Sequence, residues 1–309
     1  MLDLDLERKG TTPRDAATLL LLKDTAAGPA VFCVERNKKS RFLGGALVFP
    51  GGKLDAADAD DAWRELCEES GDLDRGAGAD RVALRAGFAN DDAHLRALRI
   101  AACRETLEEA AILPVNDGAL TDEAVLALRS RVAGGADLRA ELRALGIELR
   151  LARVIPFSRW VTPIAEARRY DARFFVCKAP AGQSGAHDEH ETMASFWATP
   201  TELLARFSRR EVELAPPTHR TVESLARFTT ADEIIAWCQR AGAEVSLAPI
   251  CPELKPHTDA RGDTLALVLP GDPEHELEES RSPGKSRYVL RDGQWLSEDP
   301  PSPLRAKET

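Results

Sequence analysis

Apolar and polar positions follow two different periods along the chain, and these periods predict a mixture of strands and helices. Residues 16–22 and 30–35 are apolar runs separated by a polar stretch that ends in Gly-Pro, a pattern that predicts a β-hairpin. A third run, residues 45–49, is predicted to be a strand that enters a Pro-Gly-Gly turn. Residues 147–154 and 172–178 are further predicted strands.

Helical patterns fill much of the remaining chain. Residues 95–112 predict one long helix, and residues 120–146 predict helical structure broken at the Gly-Gly pair 134–135. Thr199 followed by proline has the form of a helix start, and residues 218–241 predict one or two further helices. Strands and helices mixed in this way predict an α/β sandwich with a mixed β-sheet.

The pattern predicts one large domain over residues 10–245, with a helical insertion at residues 59–94. Residues 246–309 form a Pro-rich, charged extension that we expect to be partly disordered. Within the extension, residues 265–269 predict a strand followed by a turn, and residues 288–290 are its predicted pairing partner.

Residues 101–112 carry the most informative chemistry. On a helix, Glu105, Glu108 and Glu109 share one face, and carboxylates about 5–6 Å apart repel by roughly 3 kcal/mol per pair at an effective dielectric of about 20. A divalent cation relieves that repulsion, because hard oxygen ligands suit Mg²⁺ or Mn²⁺. Arg104 precedes the cluster and is placed to hold a carboxylate by a forked ion pair. A solvated acidic helix is the alternative interpretation.

A glycine turn upstream favours the cation. Residues 47–55 read Leu-Val-Phe-Pro-Gly-Gly-Lys-Leu-Asp, so an apolar strand enters a turn where Gly51 and Gly52 lack Cβ atoms and allow close approach. Together with the acidic run, this turn resembles the Nudix box, whose pattern is Gly-x5-Glu-x7-Arg-Glu-apolar-x-Glu-Glu-x-Gly-apolar. Gly52 stands at the first glycine, Asp58 at the first glutamate, and residues 104–112 at the second half.

The match to the Nudix box has departures. Asp58 is one methylene shorter than glutamate, and Thr106 replaces an aliphatic residue. Ala111 replaces the late glycine, which predicts a helix that ends without a positive φ or continues one residue further. Residues 59–103 occupy the place of the usual seven-residue spacer, and this is the largest departure.

A second acidic run competes for the same role. Residues 64–71 read Arg-Glu-Leu-Cys-Glu-Glu-Ser-Gly, but a polar, Gly-rich stretch follows them, whereas Ile112 and Leu113 follow the other run. A helix that packs against a sheet needs such apolar neighbours. We therefore interpret residues 104–109 as the metal-binding run and the run at 64 as an amphipathic helix, in an insertion interrupted at Gly76–Gly78.

One branch of the Nudix superfamily, similar to the peroxisomal coenzyme A diphosphatases, has the same turn and a long insertion inside the box. The likeness continues outside the box, in residues 159–163, 173–175, 197–203 and 214–218. It implies a Nudix-type α/β/α sandwich with a C-terminal helical extension. It also implies hydrolysis of a diphosphate bond in a nucleoside diphosphate linked to another moiety, with coenzyme A or acyl-CoA as the leading substrate.

The resemblance assigns roles to the acidic run. It implies that Glu105, Glu108 and Glu109 are metal ligands, joined by the Gly52 carbonyl. Glu105, Glu108 and Arg104 are then the predicted catalytic residues, and the cofactor is Mg²⁺ or Mn²⁺. The pattern leaves open which residue is the general base.

Several residues outside the acidic run are further candidates. Glu191 lies on a polar loop and is a candidate for an additional metal carboxylate, and Asp58 is another candidate within the box. Arg36 and Arg41 follow a predicted strand and are candidates for phosphate contacts. Arg173 lies in a basic-aromatic group suited to a nucleotide. For Glu191 and for the arginines that follow the strand, a solvated loop is the alternative.

Composition excludes several other classes of protein. The net charge is −10 and no stretch concentrates the basic residues, which disfavours a nucleic-acid partner. The six cysteines are scattered without a CxxC pair, so neither zinc spacing nor a disulfide framework is indicated. No apolar run is long enough to span a bilayer. We expect a cytoplasmic protein with a small-molecule substrate, and the oligomeric state stays open between a monomer and a homodimer.

Two further function classes compete with the coenzyme A hypothesis. A Nudix hydrolase acting on ADP-ribose, dinucleotides or sugar nucleotides shares the same diphosphate chemistry. A Nudix-fold ligand sensor without catalysis is encouraged by Asp58 and Ala111, but the intact trio of glutamates argues against it. A purely structural role explains neither the Gly-Gly turn nor the spacing of the carboxylates.

Overall fold

Twelve strands and seven α-helices make up the described part of the chain. The computed structural model describes residues 3–37, 45–67, 73–186, 192–240 and 246–301, with residues 73–78, 192 and 193 given as backbone only. The strands are β1 (Arg14–Thr25), β2 (Gly28–Arg36), β3 (Leu47–Val48), β4 (Gly51–Lys53), β5 (Ile155–Val161), β6 (Tyr170–Lys178), β7 (Thr192–Ala198), β8 (Pro249–Ile250), β9 (Glu253–Asp259), β10 (Gly262–Val268), β11 (Arg287–Arg291) and β12 (Gln294–Glu298). The helices are α1 (Leu73–Arg85), α2 (Asp92–Ala110), α3 (Asp122–Ala133), α4 (Leu138–Leu145), α5 (Pro200–Ser208), α6 (Pro216–Leu225) and α7 (Ala231–Gln239).

An eight-stranded mixed sheet lies at the centre of the fold. Its order is β3-β2-β1-β6-β5-β8, with β4 paired to β1 and β7 paired to β2. Strands β1 and β2 form the predicted hairpin, and β1 runs parallel to β6. The side chains of residues 19–22 in β1 are at most 1% exposed, so this strand is covered on both faces.

Helices cover both faces of the sheet. On β6, Arg173 donates to the Phe88 carbonyl, and Phe88 lies just before α2. Two positions further along the same face, the ring of Phe175 packs on that of Phe88. On the opposite face of β6, Lys178 forms an ion pair with Asp232 at the start of α7. Helices α2 and α7 therefore form the outer layers of the predicted α/β/α sandwich.

Helix α2 is largely buried, and both of its ends are well defined. Asp91 caps it by accepting a hydrogen bond from the His94 N–H. The expectation for its other end is wrong, because Ala111 has φ 49° and ψ 43° in the left-handed region. This conformation is unfavourable for alanine, but it turns Ile112 and Leu113, both 0% exposed, into the core.

Three local predictions are corrected by the fold. Residues 147–154 are not a strand, because the N–H groups of Leu149 and Arg150 bond to loop carbonyls and the strand begins only at Ile155. Helix α1 runs without interruption through residues 76–78, since its packing against β5 and α7 outweighs the low helix propensity of glycine. The run at 64 is not an α-helix in its described part, which is a 3₁₀ helix over Asp61–Leu66.

The C-terminal extension contains a second sheet. Its four antiparallel strands have the order β12-β11-β10-β9, and the predicted pairing of the strand at 265–269 with residues 288–290 is confirmed by β10 and β11. Helices α6 and α7 both end before residue 246, so the C-terminal helices belong to residues 10–245, and the described part of the extension consists of strands and loops. Tyr288 of β11 is buried against α6, where its hydroxyl lies 3.1 Å from His219 Nδ1. No helix within the described ranges is long and apolar enough to cross a membrane.

Candidate active site

The Gly51–Gly52 turn lies directly against helix α2. Strand β4 pairs with β1 through Ala17 opposite Gly52, and this pairing fixes the height of the turn above the sheet. A Cβ atom on Gly51 would overlap the Ala17 carbonyl, and a Cβ atom on Gly52 would overlap the carboxylate of Glu105. Close approach to the backbone of β1 therefore requires glycine at position 51, whereas a side chain at position 52 would displace the carboxylate of Glu105.

Arg104 clamps the loop after the turn onto α2. Its Nε and Nη2 atoms donate to the two carboxylate oxygens of Asp58, each at 2.9 Å, and Nη2 also donates to the Lys53 carbonyl at 3.0 Å. Asp58 is 1% exposed and accepts a third hydrogen bond from the Asp55 N–H at 2.9 Å. Because all of these groups are engaged, Asp58 is a positioning residue for Arg104, and the clamp holds the turn in place.

The three glutamates predicted to bind metal are all near this clamp. Glu109 is buried and accepts a hydrogen bond from the Gly51 N–H at 3.0 Å. Glu105 accepts from Arg104 Nη1 at 2.9 Å, and Glu108 lies 3.4 Å from the same nitrogen. Of these two glutamates, Glu108 is the more exposed, with 38% of its side chain exposed against 16% for Glu105.

Burial sets the charge state of these groups. It raises the pKa of Glu105 to about 7, with Arg104 opposing the shift and Glu108 adding to it. Burial also raises the pKa of Glu108. For Arg104, burial opposes the charge, but the hydrogen bonds to Asp58 and the nearby carboxylates raise its pKa. Four carboxylates, including that of Asp55, share this one guanidinium, so the cluster has an excess of negative charge.

These residues fit a divalent cation. The raised pKa values of Glu105 and Glu108 reflect carboxylates that are buried with too little positive charge around them. Oxygen ligands of this kind suit Mg²⁺ or Mn²⁺. Because Gly52 has no side chain, its backbone lies directly against the Glu105 carboxylate.

Another group of potential ligands lies on the second sheet. The ligand atoms of His257, Asp259 and Glu298 are within 4.8 Å of one another, closer than any other such trio in the described ranges. Arg291 already donates to Asp259 and Glu298, so its guanidinium neutralises this group. On α2, Arg104 holds Glu105 and Glu108, whereas the Gly51 N–H holds Glu109 in a different direction. Binding of one cation by all three glutamates therefore requires Glu105 and Glu108 to turn away from Arg104.

The predicted substrate arginines have different surroundings. Arg173 is 2% exposed, and its guanidinium donates to Asp15 and to the carbonyls of Phe88 and Asp171. These contacts engage Nε and Nη1 of Arg173 and join β6 to Asp15 of β1 and to the segment before α2. Arg36 is half-buried at the end of β2, and its Nε atom has no hydrogen-bond partner. Arg41 and Glu191 lie outside the described residues, as do Glu68 and Glu69 of the second acidic run.

Sequence reasoning missed two parts of the clamp. The Lys53 carbonyl carries no sequence signal, because any residue at that position offers the same acceptor. Asp55 did offer a signal, since an acidic residue three positions before Asp58 has the spacing of a helix capping box. Reading that spacing would have placed Asp58 inside a structured turn facing Arg104.

A glycine turn packed on a helix of clamped glutamates, within an α/β/α sandwich, is the arrangement of a Nudix hydrolase. The family model of the NUDT19 Nudix domain matches residues 13–225, more than half of the chain. The chain therefore belongs to the NUDT19-type Nudix family and is an enzyme of the Nudix hydrolase class, as predicted.

Individual relatives agree with this assignment. The acyl-coenzyme A diphosphatase NUDT19 of Gallus gallus is 29% identical over 305 residues, which cover 84% of this chain and 79% of that protein. The human protein of the same name is 28% identical, covering 82% of this chain and 74% of its own length. Among solved structures, a NUDIX hydrolase from Alicyclobacillus acidocaldarius has a TM-score of 0.58 and 29% identity, covering 73% of this chain and 96% of its own.

Proposed function

We propose that this protein is a divalent-metal-dependent diphosphatase whose substrate is coenzyme A or an acyl-CoA. The observation that carries the proposal is the close seating of Gly52 on the carboxylate of Glu105, beside the Arg104–Asp58 clamp. A glycine turn seated on a carboxylate gives no benefit to a helix that has only a structural role. It suits a site where backbone and carboxylate oxygens serve the same ligand.

The proposed roles follow from the surroundings of each residue. Glu105, Glu108 and Glu109, with the Gly52 carbonyl, would hold Mg²⁺ or Mn²⁺. When bound, such a cation lowers the pKa of water and neutralises charge on the phosphates. Before a cation binds, Arg104 holds Glu105 and Glu108, which would turn away from it to become ligands, while Asp58 fixes the plane of the Arg104 guanidinium. Arg36 and Arg41 remain our candidates for phosphate contacts, and Glu191 for a further carboxylate.

The choice of substrate rests on the relatives. The proteins from chicken, frog and human that match this chain over most of its length are named acyl-coenzyme A diphosphatases. ADP-ribose, dinucleotides and sugar nucleotides carry the same diphosphate and are the competing substrates. We also keep the cytoplasmic location as a prediction, and the choice between monomer and homodimer stays open.

A substrate panel tests the proposal. Coenzyme A, acetyl-CoA, ADP-ribose, diadenosine tetraphosphate and UDP-glucose would be incubated with the protein and Mg²⁺ or Mn²⁺, and the products separated by chromatography. We expect coenzyme A and acetyl-CoA to be cleaved at the diphosphate with the highest kcat/KM. Faster cleavage of ADP-ribose, a dinucleotide or the sugar nucleotide would overturn the substrate assignment. Tight binding of metal and nucleotide without any turnover would favour the ligand sensor.

A further inference from the structure

A cavity separates the catalytic body from the C-terminal extension. Its volume is about 260 Å³, somewhat below the range of roughly 300–1,000 Å³ for sites of drug-sized ligands. Strand β5 forms its floor, helices α6 and α7 form two walls, and residues 280–283 of the extension form a third. Because these residues are far apart in the chain, a ligand in the cavity would contact both parts of the fold.

The cavity lies on the sheet face opposite the glutamates of α2. A bulge in β5 places Ser158 opposite Phe174 and Arg159 opposite Arg173 of the neighbouring strand. Arg173 faces the α2 layer, so Ser158 faces the α7 layer. Phe157 lies at the bulge and faces the same side as Ser158, because its ring packs on Trp237 of α7. The cavity is therefore separate from the candidate active site.

Four polar atoms on cavity residues have no hydrogen-bond partner. They are Ser158 Oγ, Thr221 Oγ1 and the Nε atoms of Arg220 and Arg281, and they make up four of the eight such buried atoms in the described part of the chain. Ser158, Thr221 and Arg220 are 8%, 1% and 3% exposed. Buried polar groups are almost always paired in folded proteins, so these four atoms mark a place where a polar occupant would supply missing hydrogen bonds.

The two arginines are held in fixed positions by backbone carbonyls. Arg220 Nη1 donates to the Pro283 carbonyl at 2.8 Å, and Arg281 Nη1 donates to the Pro249 carbonyl at 2.7 Å. Arg220 also forms an ion pair with Glu223, but Arg281 has no carboxylate partner among the described residues. The described lining contains no acidic residue, so the cavity is positively charged and rich in donors. An oxyanion matches both properties.

The remaining lining gives the occupant an apolar neighbour. Trp160 and Trp237 are 3% and 4% exposed, and with Phe157 and Ile250 they form the apolar side of the cavity. A volume of about 260 Å³ exceeds what a bare phosphate needs, since one water takes about 30 Å³. We propose that this cavity is a second ligand site that binds a small phosphate monoester, with the phosphate at Arg281 and Thr221 and the organic body against the two indole rings.

Isothermal titration calorimetry on the full chain tests this site. Titrations with AMP, adenosine and inorganic phosphate would be done in EDTA, so that the glutamates of α2 carry no cation and repel phosphate. We expect AMP to bind more tightly than either adenosine or inorganic phosphate. Arg281→Gln and Thr221→Val should each weaken AMP binding, about tenfold for Arg281→Gln because a charged hydrogen bond is lost. Arg281 is only partly buried and forms no ion pair within the described residues, so this variant should fold normally.

Two controls separate this proposal from binding elsewhere. Arg261→Gln removes the same charge from an exposed position on the second sheet and should leave AMP binding unchanged. Glu108→Gln alters the candidate active site and should also leave it unchanged. Loss of AMP binding in Glu108→Gln, equal affinity for AMP and inorganic phosphate, or no AMP binding at millimolar concentration would each overturn the proposal. The result is independent of whether coenzyme A proves to be the substrate.

Discussion

The two acidic runs of this chain share the pattern Arg-Glu-x-x-Glu-Glu but have different surroundings. Arg64 is 56% exposed and pairs with Asp61 at 3.1 Å, and Glu65 is 77% exposed and pairs with Arg143. Arg104, in contrast, is 15% exposed and forms a bidentate pair with the buried Asp58. The described part of the first run lies at the end of a 3₁₀ helix with Arg64 and Glu65 on the surface, whereas the second run lies on a buried helix beneath a glycine turn.

The comparison shows that the sequence pattern Arg-Glu-x-x-Glu-Glu does not create a metal site by itself. Exposed ion pairs contribute little, because solvent screens them and the side chains lose freedom. The same residue types become chemically distinctive when burial raises the pKa of a carboxylate and a turn without Cβ atoms approaches it. The four predictions below test this difference, from the largest expected effect to the smallest.

The largest effect should come from removing one carboxylate of each run. Glu108→Gln should lower kcat for diphosphate hydrolysis by about 10²–10⁴-fold, because a group in the reacting centre is lost while the shape is kept. The matched change Glu68→Gln should alter kcat less than about twofold. Steady-state kinetics with Mg²⁺ measures both, and a large loss in Glu68→Gln with a silent Glu108→Gln would reverse the assignment of the two runs.

The arginines should differ in their contribution to stability. Arg104→Gln leaves Asp58 buried without its partner and should reduce the free energy of unfolding by about 3–5 kcal/mol. Arg64→Gln breaks only an exposed pair, so we expect a change within about 0.5 kcal/mol. Urea denaturation followed by circular dichroism measures both values. Equal losses in the two variants would show that the clamp is not the special feature.

The pH dependence of stability should also separate the runs in chelator-treated protein. The pKa of Glu105 is about 7 in the folded state and 4.5 in the unfolded state, so the folded state binds the proton more tightly. The contribution of this proton to stability is fully present below pH 4.5 and is lost as the pH rises through 7. The free energy of unfolding should therefore fall by roughly 3 kcal/mol from pH 4.5 to 8 through this group. Glu105→Gln should remove this part of the fall and leave the part that comes from Glu108, whereas Glu65→Gln should preserve both parts. A stability that is flat over this range in the parent protein would contradict the buried state of Glu105.

The smallest predicted effect concerns the glycine turn, which serves only the second run. Gly52→Ala places a Cβ atom onto the Glu105 carboxylate and should lower activity about 10–100-fold by displacing that group. In the control Gly134→Ala, the nearest atom to the added Cβ is a carbonyl at 3.3 Å, so activity should be unchanged. Activity assays at saturating Mg²⁺ compare the two. Full activity in Gly52→Ala would exclude the close approach as a functional feature.

Features set by local pattern could be predicted from the sequence. The β1–β2 hairpin follows from two apolar runs separated by a polar stretch, although its turn lies at residues 26–27 and the Gly-Pro pair begins β2. The start of α5 follows from Thr199, which accepts a hydrogen bond from the Glu202 N–H. The break between α3 and α4 follows from the Gly-Gly pair. The grouping of Glu105, Glu108 and Glu109 follows from helical geometry alone.

Features decided by tertiary contacts could not be predicted in the same way. The ion pair between Arg173 and Asp15 joins residues that are distant in sequence, so the basic-aromatic pattern around Arg173 does not reveal it. Ala111 adopts a positive φ because the two apolar residues that follow it become buried. Alanine rarely adopts this conformation, so the sequence does not predict it. Strands β9 and β12 were missed because they contain many polar residues, and their pairing with β10 and β11 decides their structure.

The central claim is that one divalent cation binds at Glu105, Glu108 and Glu109. Crystals soaked in MnCl₂, with diffraction data collected at the manganese absorption edge, test it most directly. We predict an anomalous peak beside these three carboxylates and the Gly52 carbonyl, with Glu105 and Glu108 turned away from Arg104. An anomalous peak near residues 64–69 instead, or no peak at either run, would contradict the account.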